Sequence, residues 1–208
     1  ICGIKFFYEN TLKREWKNLG IIRAGKVKKL PVVLSQEEVF RILKIIRIKS
    51  YDTCLFTIYS CGLRISECTH LKVKDIDGAR GYIHVKSGKG AKDRYVPLPD
   101  ITLGLLRAHW KTHRNPEFLF PTSHRPATAK TTISLNTIQQ CFKKALLHSK
   151  INKQASVHTL RHSYSTHLLE AGISLQAIQK VLGHNSMKST FIYTHLTETA
   201  EKNVVSTI

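Results

Sequence analysis

"HTLRHSYSTHLLEAGISLQAIQKVLGHNSMKSTFIYTH", residues 158–195, is the stretch from which this chain can be read. It carries two helical patterns, near 158–170 and 175–182. Gly172 and Gly183 close them, where a residue without Cβ can take the left-handed turn that ends a helix. Leu160, Leu168 and Leu169 can face a core. The same segment gathers five histidines, one arginine and two tyrosines. His158 and Arg161 stand three apart, so they share a helix face. His184 follows the stop at Gly183, and Tyr193 comes after "MKSTFI". Several helix ends can thus converge on one phosphate-sized spot.

Working outward, the rest of the chain is mostly helical. Ser35 and Glu38 have capping-box spacing, Leu34 and Val39 are placed as a hydrophobic staple, and Val39, Phe40, Leu43 and Ile46 form an apolar stripe. "YDTCLFTIYSCG" ends at Gly62, and "LRISECTHL" restarts a short helix with Arg64 at the junction. In "GYIHVKSGKGAKDRYVPLP", the strand formers Tyr82, Ile83 and Val85 and then Tyr95, Val96 and Leu98 flank the turn residues Ser87, Gly88 and Gly90. The pattern predicts a β-hairpin with Lys89 at its tip. Helices are expected near 101–112 and 135–148, with a polar loop over 121–134. The fold class is therefore mainly α with a small antiparallel β-sheet (α+β). "GIIRAGKVKKLP", 20–31, reads as a basic linker closed by Pro31, after a helix in "GIKFFYENTLKREW".

Charge names the partner. Lys and Arg number 33 against 14 Asp and Glu, a formal +19 over 208 residues, which creates a strong positive field and points to a polyanion, nucleic acid before membrane. No run approaches the roughly 18 apolar residues of a spanning helix, and the start "ICGIKFFYEN" lacks a signal-peptide core, so a cytoplasmic location is expected. Cys2, Cys54, Cys61, Cys68 and Cys141 are odd in number and lack CxxC spacing, which predicts reduced, partly buried thiols. A metal site on His158, His162 and His167 is disfavoured, since no carboxylate lies among them and the HExxH glutamate is missing. Neither metal nor cofactor is expected.

Taken together, "CGLRISE" with Arg64 and Glu67, "SGKGAKDRYVPL" with Lys89, "HTLRHSYSTHLLE" with His158 and Arg161, "VLGHNS" with His184 and "FIYTHL" with Tyr193 resemble the motifs of the tyrosine recombinase (phage integrase) family, in that family's order and spacing over roughly 32–205. The resemblance implies the family's catalytic-domain fold over 32–208. It also implies an N-terminal DNA-clamping domain, of which 1–31 would be the last helix and the linker. Site-specific cleavage and rejoining of double-stranded DNA is the implied activity, through a covalent 3′-phosphotyrosine on Tyr193. Arg64, Arg161, His158 and His184 would stabilise charge on the phosphate, because an arginine fork meets two oxygens and keeps its proton. Lys89 would protonate the leaving 5′-oxygen, and His158 is the best candidate for the base. Glu67 would orient a neighbouring cation or histidine, while Lys86, Lys92 and Arg94 read as phosphate clamps. A homo-oligomer on DNA, a tetrameric synapse, is the implied assembly, with the tail 197–208 packed on a neighbouring subunit. Two rival functions are a type IB topoisomerase, which shares the chemistry without strand exchange, and a DNA-binding module without catalysis. The Xer-like spacing argues against the first and the intact residue set against the second.

Overall fold

The computed structural model describes residues 2–15, 31–86 and 93–183. Lys89, Lys92, His184, Tyr193 and the tail 197–208 lie outside the described residues. Helix α1 (Cys2–Phe6) runs into a π-turn at Phe7–Thr11. Then come α2 (Gln36–Ile45), α3 (Lys49–Cys61), α4 (Ile65–Thr69), β1 (Ile76–Asp77), β2 (Tyr82–Val85), β3 (Arg94–Pro97), α5 (Asp100–His113), α6 (Leu135–His148), α7 (Val157–Glu170) and α8 (Leu175–Leu182).

Local chemistry sets these boundaries. Ser35 Oγ accepts from Glu38 N while Glu38 Oε2 accepts from Ser35 N, the reciprocal cap that starts α2. Leu34 is fully buried, and its N–H donates to Ser163 Oγ at 2.9 Å, fastening the entering chain to α7. The expected stripe on α2 keeps Val39, Leu43 and Ile46 buried but has Ile42 in place of Phe40, which is exposed and rests against Phe56 and Tyr59. The three strands form one antiparallel sheet in the order β1, β2, β3, with Ile83 opposite Val96 and Val85 opposite Arg94. Ile83, Val85, Arg94 and Val96 point inward, while His84 and Tyr95 stack on the outer face.

The core lies between α2, α3, α5, α6 and α7 and includes Leu55, Ile58, Leu63, Leu106, Phe120, Ile138, Phe142 and Leu160. Each such side chain contributes about 1.5–3 kcal/mol through burial. Cys54, Cys61 and Cys68 are buried here, with Cys54 and Cys68 Sγ 3.7 Å apart. Burial pushes the Cys61 thiol up to about 12 and Cys68 well above its usual value. A polar helix crosses this core. On α7, Ser163, Ser165 and Thr166 are buried because their hydroxyls donate to the carbonyls one turn back, of Thr159, Arg161 and His162.

Beyond α5 the loop is organised by buried Asn115. Its Nδ2 donates to the Pro126 and Ala129 carbonyls, and its Oδ1 accepts from the Glu117 and Phe118 amides. His109 and His113 lie buried beneath it, ring centroids 4.8 Å apart. A smaller apolar cluster, Ile178 and Leu182 against Tyr164, Leu168 and Leu169, holds α8 to α7.

Candidate active site

The site begins at the elbow between α3 and α4. Gly62 ends α3 at φ +61°, and a Cβ there would run into the Tyr164 ring, so this position needs both the left-handed conformation and the missing side chain. Fully buried Leu63 anchors the next residue, and Arg64 becomes the N-cap of α4 in extended conformation. Glu67, one turn into α4, accepts from the Arg64 N–H at 2.7 Å.

Glu67 is the hub. Its carboxylate accepts from Arg64 Nη1 at 2.6 Å, from Arg94 Nη1 at 2.9 Å and from Arg94 Nη2 at 2.8 Å. Arg161 Nη1 stands 3.7 Å from its Oε2. Burial alone would raise this carboxyl, but the hydrogen bonds from Arg94 and from the Arg64 backbone and side chain prevail and bring it to about 2. One carboxylate among three guanidinium groups leaves two net positive charges (three minus one). The cluster is thus net positive, and for the buried Arg94, Arg161 and Glu67 each charge interacts more strongly than in water.

The backbone around it supplies acceptors that aim the arginines. Arg161, only 1% exposed, donates from Nη1 to the Gly62 carbonyl at 2.7 Å and from Nη2 to the Leu182 carbonyl at 2.6 Å. Arg64 Nη2 reaches the Gly183 carbonyl at 3.4 Å, and Arg94 Nε donates to the Val181 carbonyl at 2.8 Å. The C-terminal end of α8, where orphan carbonyls collect, thus serves all three arginines.

His158, in the first turn of α7, is exposed, with its ring edge-on to His162 at 4.5 Å between centroids. Partial desolvation, then the positive charges of Arg161 and Arg64, lower its pKa. A neutral imidazole able to accept a proton is the favoured form. His162 is held at about 4 by burial, His158 and Arg161. Tyr164 and Tyr59 are poor nucleophiles. Burial pushes Tyr164 up to about 12, with Cys61 adding and Arg161 opposing, and the Tyr59 hydroxyl is hydrogen-bonded to His167 Nδ1 at 2.9 Å.

Of the sequence-predicted residues, Arg64, Glu67, His158 and Arg161 are brought together here. Arg161 lies beneath the surface and His158 upon it, so sharing a helix face does not mean sharing exposure. Arg94, expected as a phosphate clamp, has a side chain only 8% exposed and bound to Glu67 in this structure. Its burial was readable from strand alternation, since Arg94 is in phase with inward Val96. Lys86 projects from the end of β2 and pairs with Asp75 at 3.0 Å. The sequence weighs His162 only as a disfavoured metal ligand, and gives no sign of the Gly62 and Leu182 carbonyls or of Asp75. Backbone acceptors leave no residue-type signal.

Residues 32–200 match the model of the phage integrase family. The tyrosine recombinase XerA of Thermococcus onnurineus is 39% identical over 180 residues, 85% of this chain and 62% of its own length. A crystal structure of XerA recombinase superposes with a TM-score of 0.73 at 26% identity, covering 99% of this chain and 73% of that one. The XerH site-specific recombinase bound to palindromic difH substrate, in a post-cleavage complex, gives 0.75 at 25% identity over 91% of this chain and 57% of that one. The chain thus spans less than two thirds of the length of the Thermococcus relative.

Proposed function

This chain belongs to the phage integrase family, the tyrosine recombinases, and from that premise we propose that it cleaves and rejoins double-stranded DNA at specific sites through a covalent 3′-phosphotyrosine. The carrying observation is the Glu67 hub, which sets Arg64 and Arg161 beside a His158 that favours its neutral form.

The Tyr193 oxygen attacks the phosphorus and the bond to the 5′-oxygen breaks. Tyr193 gives up its proton to a base, for which His158 is suited. Lys89 supplies a proton to the leaving oxygen, while Arg64 and His184 face the negative charge that grows on the non-bridging oxygens and Arg161 adds its positive charge from beneath. Attack by another strand's 5′-hydroxyl reverses each step and reseals DNA with no external energy source. No metal is needed for the chemistry, because fixed cations take its role. Residues 32–208 form the catalytic unit, and 1–31 belong to a preceding DNA-clamping unit and linker. The active assembly is a homo-oligomer on DNA, a tetramer at synapsis, in the cytoplasm.

A nicked suicide substrate tests this reading. Wild-type protein should form a covalent DNA adduct, unaffected by chelator, and Tyr193→Phe should form none. An adduct that survives Tyr193→Phe on a denaturing gel defeats the assignment. Joining of two marked DNA sites, rather than mere relaxation of a plasmid, separates recombinase from topoisomerase.

A further inference from the structure

Arg94 follows Lys86, Lys89 and Lys92 in the sequence, yet its side chain lies inside the protein. We propose that Arg94 is a positioning residue that locks strand β3, which leaves the Lys89 hairpin, onto Glu67 and onto the end of α8, and so holds the base of that hairpin against the arginine cluster. The inference rests on the function proposed above and assigns that site a further member.

Three hydrogen bonds define the lock. Arg94 meets both Glu67 oxygens, at 2.9 and 2.8 Å, and its Nε holds the Val181 carbonyl at 2.8 Å. A planar fork with a third, sideways donor is what this arrangement requires; a lysine ammonium could reach one of these acceptors well but not span all three. The space around it is reserved as well. A Cβ on Gly183 would stand 2.8 Å from Arg94 Cδ and 3.1 Å from its Nε, so that glycine serves the arginine as well as the helix stop. The position is also strand-borne: Arg94 pairs with Val85 across β2 and β3, at the base of the hairpin.

The chain makes the consequence mechanical. Lys89 lies five residues before Arg94 (94 − 89), and His184 three after Val181 (184 − 181). Through Glu67, which both guanidinium groups bind, the same side chain is linked to Arg64. Without the lock, Glu67 would still face Arg64 and Arg161, but the hairpin base and the end of α8 would lose their common fastening.

The test is a double-mutant cycle on single-turnover cleavage of the nicked substrate, with DNA binding and thermal melting measured in parallel. Arg94→Lys should melt cooperatively, bind DNA within about threefold of wild type, as one side chain contributes little to total affinity, and cleave roughly 10- to 100-fold more slowly, the scale of a small misplacement. Combined with Lys89→Ala, it should slow cleavage no further than Lys89→Ala alone, because both changes remove the same placed group. If Arg94→Lys does not fold, the neutral pair Arg94→Met with Glu67→Gln must give the same non-additivity. Additive losses overturn the proposal. So does weaker DNA binding with normal cleavage once bound, which would make Arg94 a phosphate clamp. Wild-type cleavage by Arg94→Lys or by Lys89→Ala overturns it too. The recombinase reading itself fails on a different variant, Tyr193→Phe.

Discussion

Among single residues, Gly183 carries two demands at once. It sits at φ +64° as the C-cap of α8, and it leaves room for Arg94. Gly183→Ala should cost about 1–2 kcal/mol for the left-handed backbone alone, and more because the methyl displaces the guanidinium stem. A fall in melting temperature with a larger proportional fall in cleavage is expected; unchanged cleavage would mean the stem can move without harm. The buried titratable groups set the acid side of stability. His109, lowered from 6.5 to about 4 by burial and then by the charge of His113, stays neutral in the folded protein, while the unfolded chain takes up its proton below 6.5. The unfolded state therefore binds more protons in that window, and stability falls as pH drops from 6.5 towards 4. Glu67, lowered from 4.5 to about 2, adds a second loss below 4.5, as its carboxylate must be protonated on unfolding. Melting followed across pH should decline in these two windows, and His109→Leu should shrink the first without abolishing it, because His162 is lowered to about 4 as well. A melting temperature that is constant from pH 7 to 4 would contradict both the burial of His109 and its neutrality.

At the scale of elements, α8 hangs on a small apolar contact and yet serves all three arginines. Ile178 and Leu182 are its buried residues, in a cluster of their own, and half-buried Val181 is its apolar contact with the main core. Ile178→Ala should therefore cost about 2–5 kcal/mol locally. Amides of 175–183 should exchange faster while those of α3 change little, and cleavage should drop because the Val181, Leu182 and Gly183 carbonyls lose their places. Uniform acceleration of exchange across the domain would show α8 to be part of one cooperative unit. Such elements differ in how far they could be read beforehand. The cap at Ser35 and Glu38 and the stops at Gly62 and Gly183 were legible, since backbone chemistry there depends on neighbours in the chain. Strand β1, two residues long, has no period to read. Helix α7 looks polar because its buried serines and threonine satisfy themselves, which hides its central position. Arg64, Glu67, His158 and Arg161 were found by motif, but the burial of Arg161 depends on acceptors at Gly62 and Leu182, far away in the chain. Lys89, Lys92, His184 and Tyr193, outside the described residues, stand on sequence alone.

For the whole molecule, the excess of 33 basic over 14 acidic residues should dominate binding to DNA. Contacts to roughly 6–10 phosphates would weaken affinity about 10³- to 10⁵-fold between roughly 50 and 200 mM salt. Lys86→Ala should reduce the slope of log affinity against log salt by about one if this lysine leaves Asp75 for a phosphate; an unchanged slope would show that the pair at 3.0 Å persists on DNA. The chain also carries its own reporters. Cys54, Cys61 and Cys68 surround the elbow that presents Arg64, and each is withheld from solvent. For Cys61 and Cys68 the thiolate is withheld as well. An alkylating reagent therefore meets no reactive sulfur at these positions until the elbow comes apart. Their rate of blocking is a clock for that opening, and a bound DNA that braces Arg64 should slow it without touching a single cysteine.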